Sequence, residues 1–165
     1  MSDIDDSEWQ RERMQRIRML EQDLPYYRGQ YNEAENKINE YFKDFEMFLD
    51  AIDSLSNVKT NINCGVDNLQ NGLIVVNRYS EGNQHDNAMG VINDVKRLFE
   101  HTSSGVEALK TIIRMDIKQL ALDYVEEYAK YLTAMRDYND VVVNLNSLGC
   151  SYSYLDDNIK RETLY

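Results

Sequence analysis

Two histidines, two cysteines and seven glycines are the residues with which chemistry at a site would have to begin. His85 and His101 fall in neither an HExxH pattern nor the Glu-x-x-His spacing by which helical bundles hold metal pairs. Glu100 and His101 are adjacent, so a helix turns them about 100° apart onto different faces. Gly65, Gly72, Gly82 and Gly90 form neither GxxxxGK[ST] nor GxGxxG, the loops that cradle phosphates. Cys64 precedes Gly65 but has no histidine placed beside it by any motif, and no serine is better served. The expectation is a non-enzymatic protein with no catalytic residue, no metal and no cofactor.

Composition narrows the remaining classes. A net charge of −11 and a pI near 4.6 disfavour nucleic acid and anionic membranes, both of which demand a basic face. The one basic cluster, RERMQRIR at 11–18, is flanked by Glu8, Glu21 and Asp23 and reads as a solvated or partner-facing helix. No apolar run approaches the roughly 20 residues that span a bilayer, and MSDIDDSEW is acidic where a secretory signal is basic and then apolar. The chain is expected in the cytosol, with export by a route that needs no cleaved signal left open. Cys64 and Cys150 are too few for a disulfide framework.

The elements that must position any site are long helices. With seven Gly and one Pro, the chain has little of the punctuation that many short elements need. Apolar residues recur at alternating steps of three and four through Ile17, Leu20, Leu24, Tyr27, Tyr31, Ala34, Ile38, Tyr41, Phe45, Phe48, Ile52 and Leu55. They continue past Lys59 through Ile62, Val66, Leu69 and Leu73. The mean step, about 3.5 residues, is that of a coiled-coil seam. A second run passes Val91, Val95, Phe99, Thr102, Val106, Leu109, Ile113, Ile117, Leu120, Tyr124, Tyr128, Tyr131, Met135, Tyr138, Val142 and Leu145. The spacing predicts an all-α, elongated antiparallel hairpin, one domain over 1–165. Its parts are an N-terminal helix over 5–23, a first long helix over 24–71, a tip over 72–86, a second helix over 87–147 and a tail over 148–165. Pro25 is expected to separate or kink the first two, with Asp23 as an N-cap; Asp86 or Asn87 caps the second long helix and Gly149 ends it.

A turn centred at about residue 79 would bring Phe48 near Leu109, Leu55 near Thr102 and Tyr27 near Tyr131. Tyr26, Tyr27 and Tyr31 would then meet Tyr124, Tyr128 and Tyr131 in an aromatic layer. Cys64 and Cys150 would lie about 80 Å apart and could not pair within one hairpin. The tail has too few apolar residues for a core of its own, and a short helix or flexible end is expected.

Apolar residues off the seams are the candidate partner surface: Phe42, Met47 and Leu49 in the first helix, and Ile112, Met115, Leu122, Val125 and Leu132 in the second. Some of these serve flanking packing; the rest ask for further helices to complete a bundle. Within NGLIVVNRYSEGNQH at 71–85, Ile74 and Val76 extend past the seam. They either fold back to plug the bundle end or meet a partner at the tip.

A two-helix hairpin without a signal peptide, with LQNGL at the end of its first helix and a polar connector, resembles the small α-helical proteins that accompany LXG toxins of type VIIb secretion systems in Gram-positive bacteria. Those are more distantly similar to WXG-type hairpins, which carry Trp-x-Gly at the turn; the single tryptophan here is Trp9. The resemblance implies a targeting or chaperone-like partner of the helical N-terminal domain of an LXG toxin, acting with a second small helical protein. It also makes Tyr152 and Asp156 a candidate Tyr-x-x-x-Asp export motif. The alternative is a self-associating coiled-coil scaffold, two hairpins forming a homodimeric four-helix bundle.

Overall fold

A computed structural model describes residues 3–79 and 81–159. Two helices, α1 (Asp3–Tyr79) and α2 (Gly82–Ser147), pack against each other as an antiparallel hairpin, and no strand occurs among the described residues. Every seam position named above in α1 is at least partly buried, including Lys59. The 3.5-residue pattern therefore marks the contact face, as apolar burial along one stripe requires.

Three boundaries differ from expectation. α1 is continuous through Pro25, so there is no separate N-terminal helix and Asp23 lies inside α1 rather than capping it. A proline inside a helix lacks the N–H that would bond the carbonyl four residues back. Ile17 and Leu24 on one side of it and Tyr31 on the other are all buried, and their packing carries the helix across. α1 also passes Gly72 and continues to Tyr79, while α2 starts at Gly82 rather than near Asp86 or Asn87. Val76 stays half-buried on the extended seam, and His85 Nε2 lies 2.8 Å from Asn77 Oδ1 across the turn. Gly82 supplies the reversal at φ 65°, a conformation other residues rarely adopt. Gly149 follows α2 at φ 87°, as expected of a helix-ending glycine.

Lengthening α1 moves the register by about one turn. Tyr131 meets Tyr31 rather than Tyr27, with ring centroids 4.7 Å apart, while Thr102 and Leu109 are exposed. The contact face of α2 instead runs through Val106, Lys110 and Ile113; Lys110 replaces the more apolar Leu109 because helical phase outweighs side-chain type.

Contacts divide the chain into two compact units: unit 1 is Met1–Phe42 with Ala121–Tyr165, and unit 2 is Lys43–Leu120. Unit 1 holds two apolar clusters. One gathers Ile17, Leu24, Tyr138, Val141, Val142 and Leu145; the other gathers Tyr31, Ala34, Ile38, Tyr131, Ala134 and Ile159. In unit 2 the buried apolar residues are Phe45, Ile62 and Val106. There Gly65 admits the Phe99 ring against the backbone of α1, since a Cβ at that position would lie 3.1 Å from the ring.

Residues 150–159 of the tail are neither helical nor loose, and 160–165 lie outside the described residues. Residues 150–159 run as an extended segment along unit 1, with Leu155 packed on both clusters and Ile159 buried. Apolar content too low for an independent core suffices for a strap laid on an existing one.

Candidate interaction surfaces

In unit 2 the two flanks of the contact face differ in chemistry. From Phe48 to Val76 the residue preceding each contact position of α1 is Met47, Ala51, Ser54, Val58, Asn61, Gly65, Asn68, Gly72 or Val75, and none is charged; Asp44, before Phe45, is charged. From Phe99 to Ile113 the equivalent residues of α2 are Leu98, Thr102, Gly105, Leu109 and Ile112, again uncharged, with Asp94 and Asp116 bounding this stretch. In an antiparallel pair of right-handed helices these two stripes fall on the same side. Met47, Leu98, Leu109 and Ile112 are each more than half exposed there. The opposite flank carries Glu46, Asp53, Asp67, Glu100, Glu107 and Arg114. Between Asp94 and Asp116 on α2, and beyond Asp44 on α1, this side is charge-free, and on a chain of net charge −11 such a stretch with exposed apolar residues is a surface suited to burial.

The contact face of unit 2 also holds a polar layer. Lys59 Nζ donates to Glu107 Oε1 at 2.7 Å, and Lys110 Nζ lies 3.8 Å from the same oxygen. The Lys59 hydrogen bond holds the Glu107 carboxyl below its ordinary value. A polar pair in such a seam fixes helix register more than it adds stability.

Unit 1 presents a charged cleft of about 490 Å³ lined by residues that include Glu33, Lys37, Glu126, Glu127 and Lys130. Glu127 is buried and bridges Lys37 at 3.6 Å and Lys130 at 3.2 Å. Hydrogen bonds to Glu33 and Glu126 respectively, aided by Glu127, raise both lysines. Each lysine of this network is shared between two carboxylates, which suits a structural pairing.

Unit 1 also clasps the extended tail. The Asn139 carboxamide accepts the Leu155 N–H at 2.8 Å and donates to the Leu155 carbonyl at 2.9 Å. Asn146 does the same for Tyr152, at 2.8 and 3.1 Å. Arg13 Nε donates to the Leu148 carbonyl at 2.8 Å, satisfying an orphan acceptor at the end of α2.

The candidate partner residues divide. Phe42 and Leu132, both partly buried, pack against the second apolar cluster of unit 1, Phe42 with its ring 5.6 Å from that of Tyr124. Met47, Leu49, Ile112 and Met115 are exposed in unit 2, and Leu122 and Val125 in unit 1. Only Met47 and Ile112 of these lie on the charge-free side; Leu49 follows its contact position and sits on the other flank. Ile74 is exposed and Val76 half-buried. Tyr152 donates its hydroxyl to Glu21 at 2.6 Å, and the Asp156 carbonyl accepts from Tyr31 at 2.9 Å.

Sequence reasoning missed Asn139 and Asn146. Their signal was present: they stand seven residues apart, each directly after a buried contact residue, Tyr138 and Leu145. Cys64 and Cys150 are free thiols. Among the described residues no group of His, Cys, Asp and Glu is arranged to hold a metal, and no helix is long and apolar enough to cross a membrane.

Comparison with known protein families, curated proteins and solved structures finds no match to this chain.

Proposed function

We propose that the chain is a non-enzymatic interaction module that buries the charge-free side of unit 2 against helices of another protein. The observation that carries this reading is the coincidence, on one side of unit 2, of exposed Met47, Leu98, Leu109 and Ile112 with an absence of charge along α1 from Met47 to Val75 and along α2 from Leu98 to Ile112. Helix-in-groove packing hides such residues and stabilises both chains by mass action. The resemblance to helper proteins of LXG toxins supplies the partner: the helical N-terminal domain of an LXG toxin, joined by a second small helical protein, in a targeting or chaperone-like complex. Export of the chain itself, with Tyr152 and Asp156 as its motif, belongs to the same proposal.

Co-expression with an LXG domain encoded in a neighbouring reading frame is the test. Recovery of a stoichiometric complex, lost on Leu98→Glu with Ile112→Glu but kept on Leu49→Glu, supports the reading. The absence of any such neighbouring frame, or a complex indifferent to these changes, overturns it.

A second reading has an observation of its own. The α1 stripe is small at Ala51, Gly65 and Gly72, whereas the α2 stripe is large at Leu98, Leu109 and Ile112. A two-fold pairing would set the large stripe of one copy against the small stripe of another. Light scattering decides: a stable homodimer that no toxin domain opens would favour a self-associating scaffold.

A further inference from the structure

The side of unit 1 beneath the tail is built to hold a main chain. Six backbone groups of the tail are met by side chains of the two helices: N–H and C=O of Tyr152 and of Leu155, the Asp156 carbonyl and the Asn158 N–H. The spacing explains why a helix can do this. Seven residues of α2, from Asn139 to Asn146, span about 10.5 Å. Three residues of extended chain, from Tyr152 to Leu155, span about 10 Å. Two carboxamides at heptad spacing therefore stand in for the edge of a neighbouring strand, running antiparallel to the tail. Beyond them the Tyr131 hydroxyl accepts the Asn158 N–H at 3.1 Å.

Side chains of the tail are read as well: Tyr152 packs on the first cluster and donates to Glu21 at 2.6 Å, Asp157 accepts from the Tyr128 hydroxyl at 2.7 Å, and the Asn158 carboxamide donates to the Tyr31 hydroxyl at 3.4 Å. Leu155 packs on both clusters and Ile159 is buried, whereas Ser151, Ser153 and Tyr154 are exposed. The backbone bonds and the two aliphatic anchors set the minimum requirement, an extended stretch with aliphatic residues four positions apart, to which Tyr152, Asp157 and Asn158 add their side-chain contacts. The tail enters this groove from Gly149, whose left-handed φ of 87° makes the turn out of α2.

We propose that this groove is a peptide-binding site, distinct from the charge-free side of unit 2, and that residues 150–159 occupy it in cis as a built-in pseudo-ligand. Its ligand in trans is an extended segment of a partner chain with aliphatic residues at positions n and n+4. That segment displaces the tail by remaking the same backbone hydrogen bonds, the recognition mode of strand addition performed by helix side chains.

The test uses the full-length chain and a fluorescent synthetic peptide of residues 150–159. A Leu155→Ser, Ile159→Ser chain, with its own tail released, is expected to bind the peptide at micromolar concentration. Wild type should bind at least about tenfold more weakly, because its tethered tail competes at an effective concentration of about millimolar. Adding Asn139→Ala and Asn146→Ala should weaken binding to the released chain about tenfold or more. A released chain that keeps its helical circular dichroism yet fails to bind the peptide would overturn the proposal, as would binding indifferent to the two asparagines. Should the released chain not fold, amide exchange on wild type replaces it: excess peptide is expected to speed exchange at Tyr152 and Leu155 severalfold, and unchanged rates overturn the proposal.

Discussion

The hydroxyl oxygens of Tyr31 and Tyr131 lie 2.9 Å apart, joining α1 to α2 across a separation of 100 residues in the chain. Around this pair the tail completes a network: Tyr31 donates to the Asp156 carbonyl, and Tyr131 accepts from Asn158. Tyr131 is fully buried, so each hydrogen bond there replaces water that cannot reach it. Tyr131→Phe keeps the ring stacking but leaves the Tyr31 hydroxyl and the Asn158 N–H short of a partner. The expected loss is about 1–3 kcal/mol in urea unfolding, with faster amide exchange at Asn158.

Pro25 predicts a gain. The carbonyl of Glu21 has no N–H to accept four residues on, and the proline ring crowds that turn. Pro25→Ala should restore the bond and stabilise the chain by up to about 3 kcal/mol, read as a higher urea midpoint. An unchanged or lower midpoint would show that the ring makes packing contacts worth as much as the bond.

Two glycines with positive φ should respond unequally. A methyl at Gly82 meets open space, so Gly82→Ala carries backbone strain alone, about 1 kcal/mol. At Gly149 the same methyl would also lie 2.6 Å from Arg13 Nη2, displacing the guanidinium from the Leu148 carbonyl. Gly149→Ala should therefore lower thermal stability more than Gly82→Ala, and Arg13→Ala should remove most of the difference.

Alkaline titration should weaken unit 1. Tyr131 is raised above its ordinary 10.0, first by burial and then by its hydrogen bond with Tyr31; Tyr152 is raised, first by its hydrogen bond to Glu21. Lys37 and Lys130 are raised above 10.5 by their hydrogen bonds to Glu33 and Glu126. Groups raised on folding contribute fully below their ordinary values and lose that contribution as pH climbs through the folded ones. Stability should fall above about pH 10, with tyrosinate absorbance lagging that of free tyrosine until the helices melt. Tyr131→Phe should remove one of the lagging phenols.

Glu107 works in the opposite direction. The Lys59 hydrogen bond holds it below its ordinary 4.5, so its contribution is present above that value and is lost as pH falls through the folded one. Lys59→Met should flatten the acid limb of a thermal-stability profile while leaving the alkaline limb in place. An acid limb identical to wild type would mean that the pair adds nothing to pH dependence.

The long-range pattern was legible because apolar residues at 3.5-residue spacing leave few other ways to be buried, and the hairpin follows from it. Boundaries were less legible where local rules compete with packing. Pro25 and Gly72 both signal a break, yet Leu24, Tyr31 and Leu73 continue the contact face, and contact prevails. Choosing Thr102 and Leu109 over Ser103 and Lys110 put apolarity before phase and misassigned part of the contact face of α2, while the turn placed too early displaced the register. The tail was illegible for a different reason: its order comes from backbone bonds to Asn139 and Asn146, which no count of apolar residues records.

The thin core of unit 2 bears on the order of folding. Chain connectivity makes Phe45, Ile62 and Val106 the buried apolar residues inside the loop that must close before Tyr31 can find Tyr131. Arg13 and Leu148 lie farther apart still, 135 residues along the chain. Closing a loop of that length directly is an entropic search that helix formation from Gly82 outward shortens step by step. Unit 2 is therefore expected to form before unit 1, and truncating Ile62 or Val106 is expected to slow folding more than it speeds unfolding.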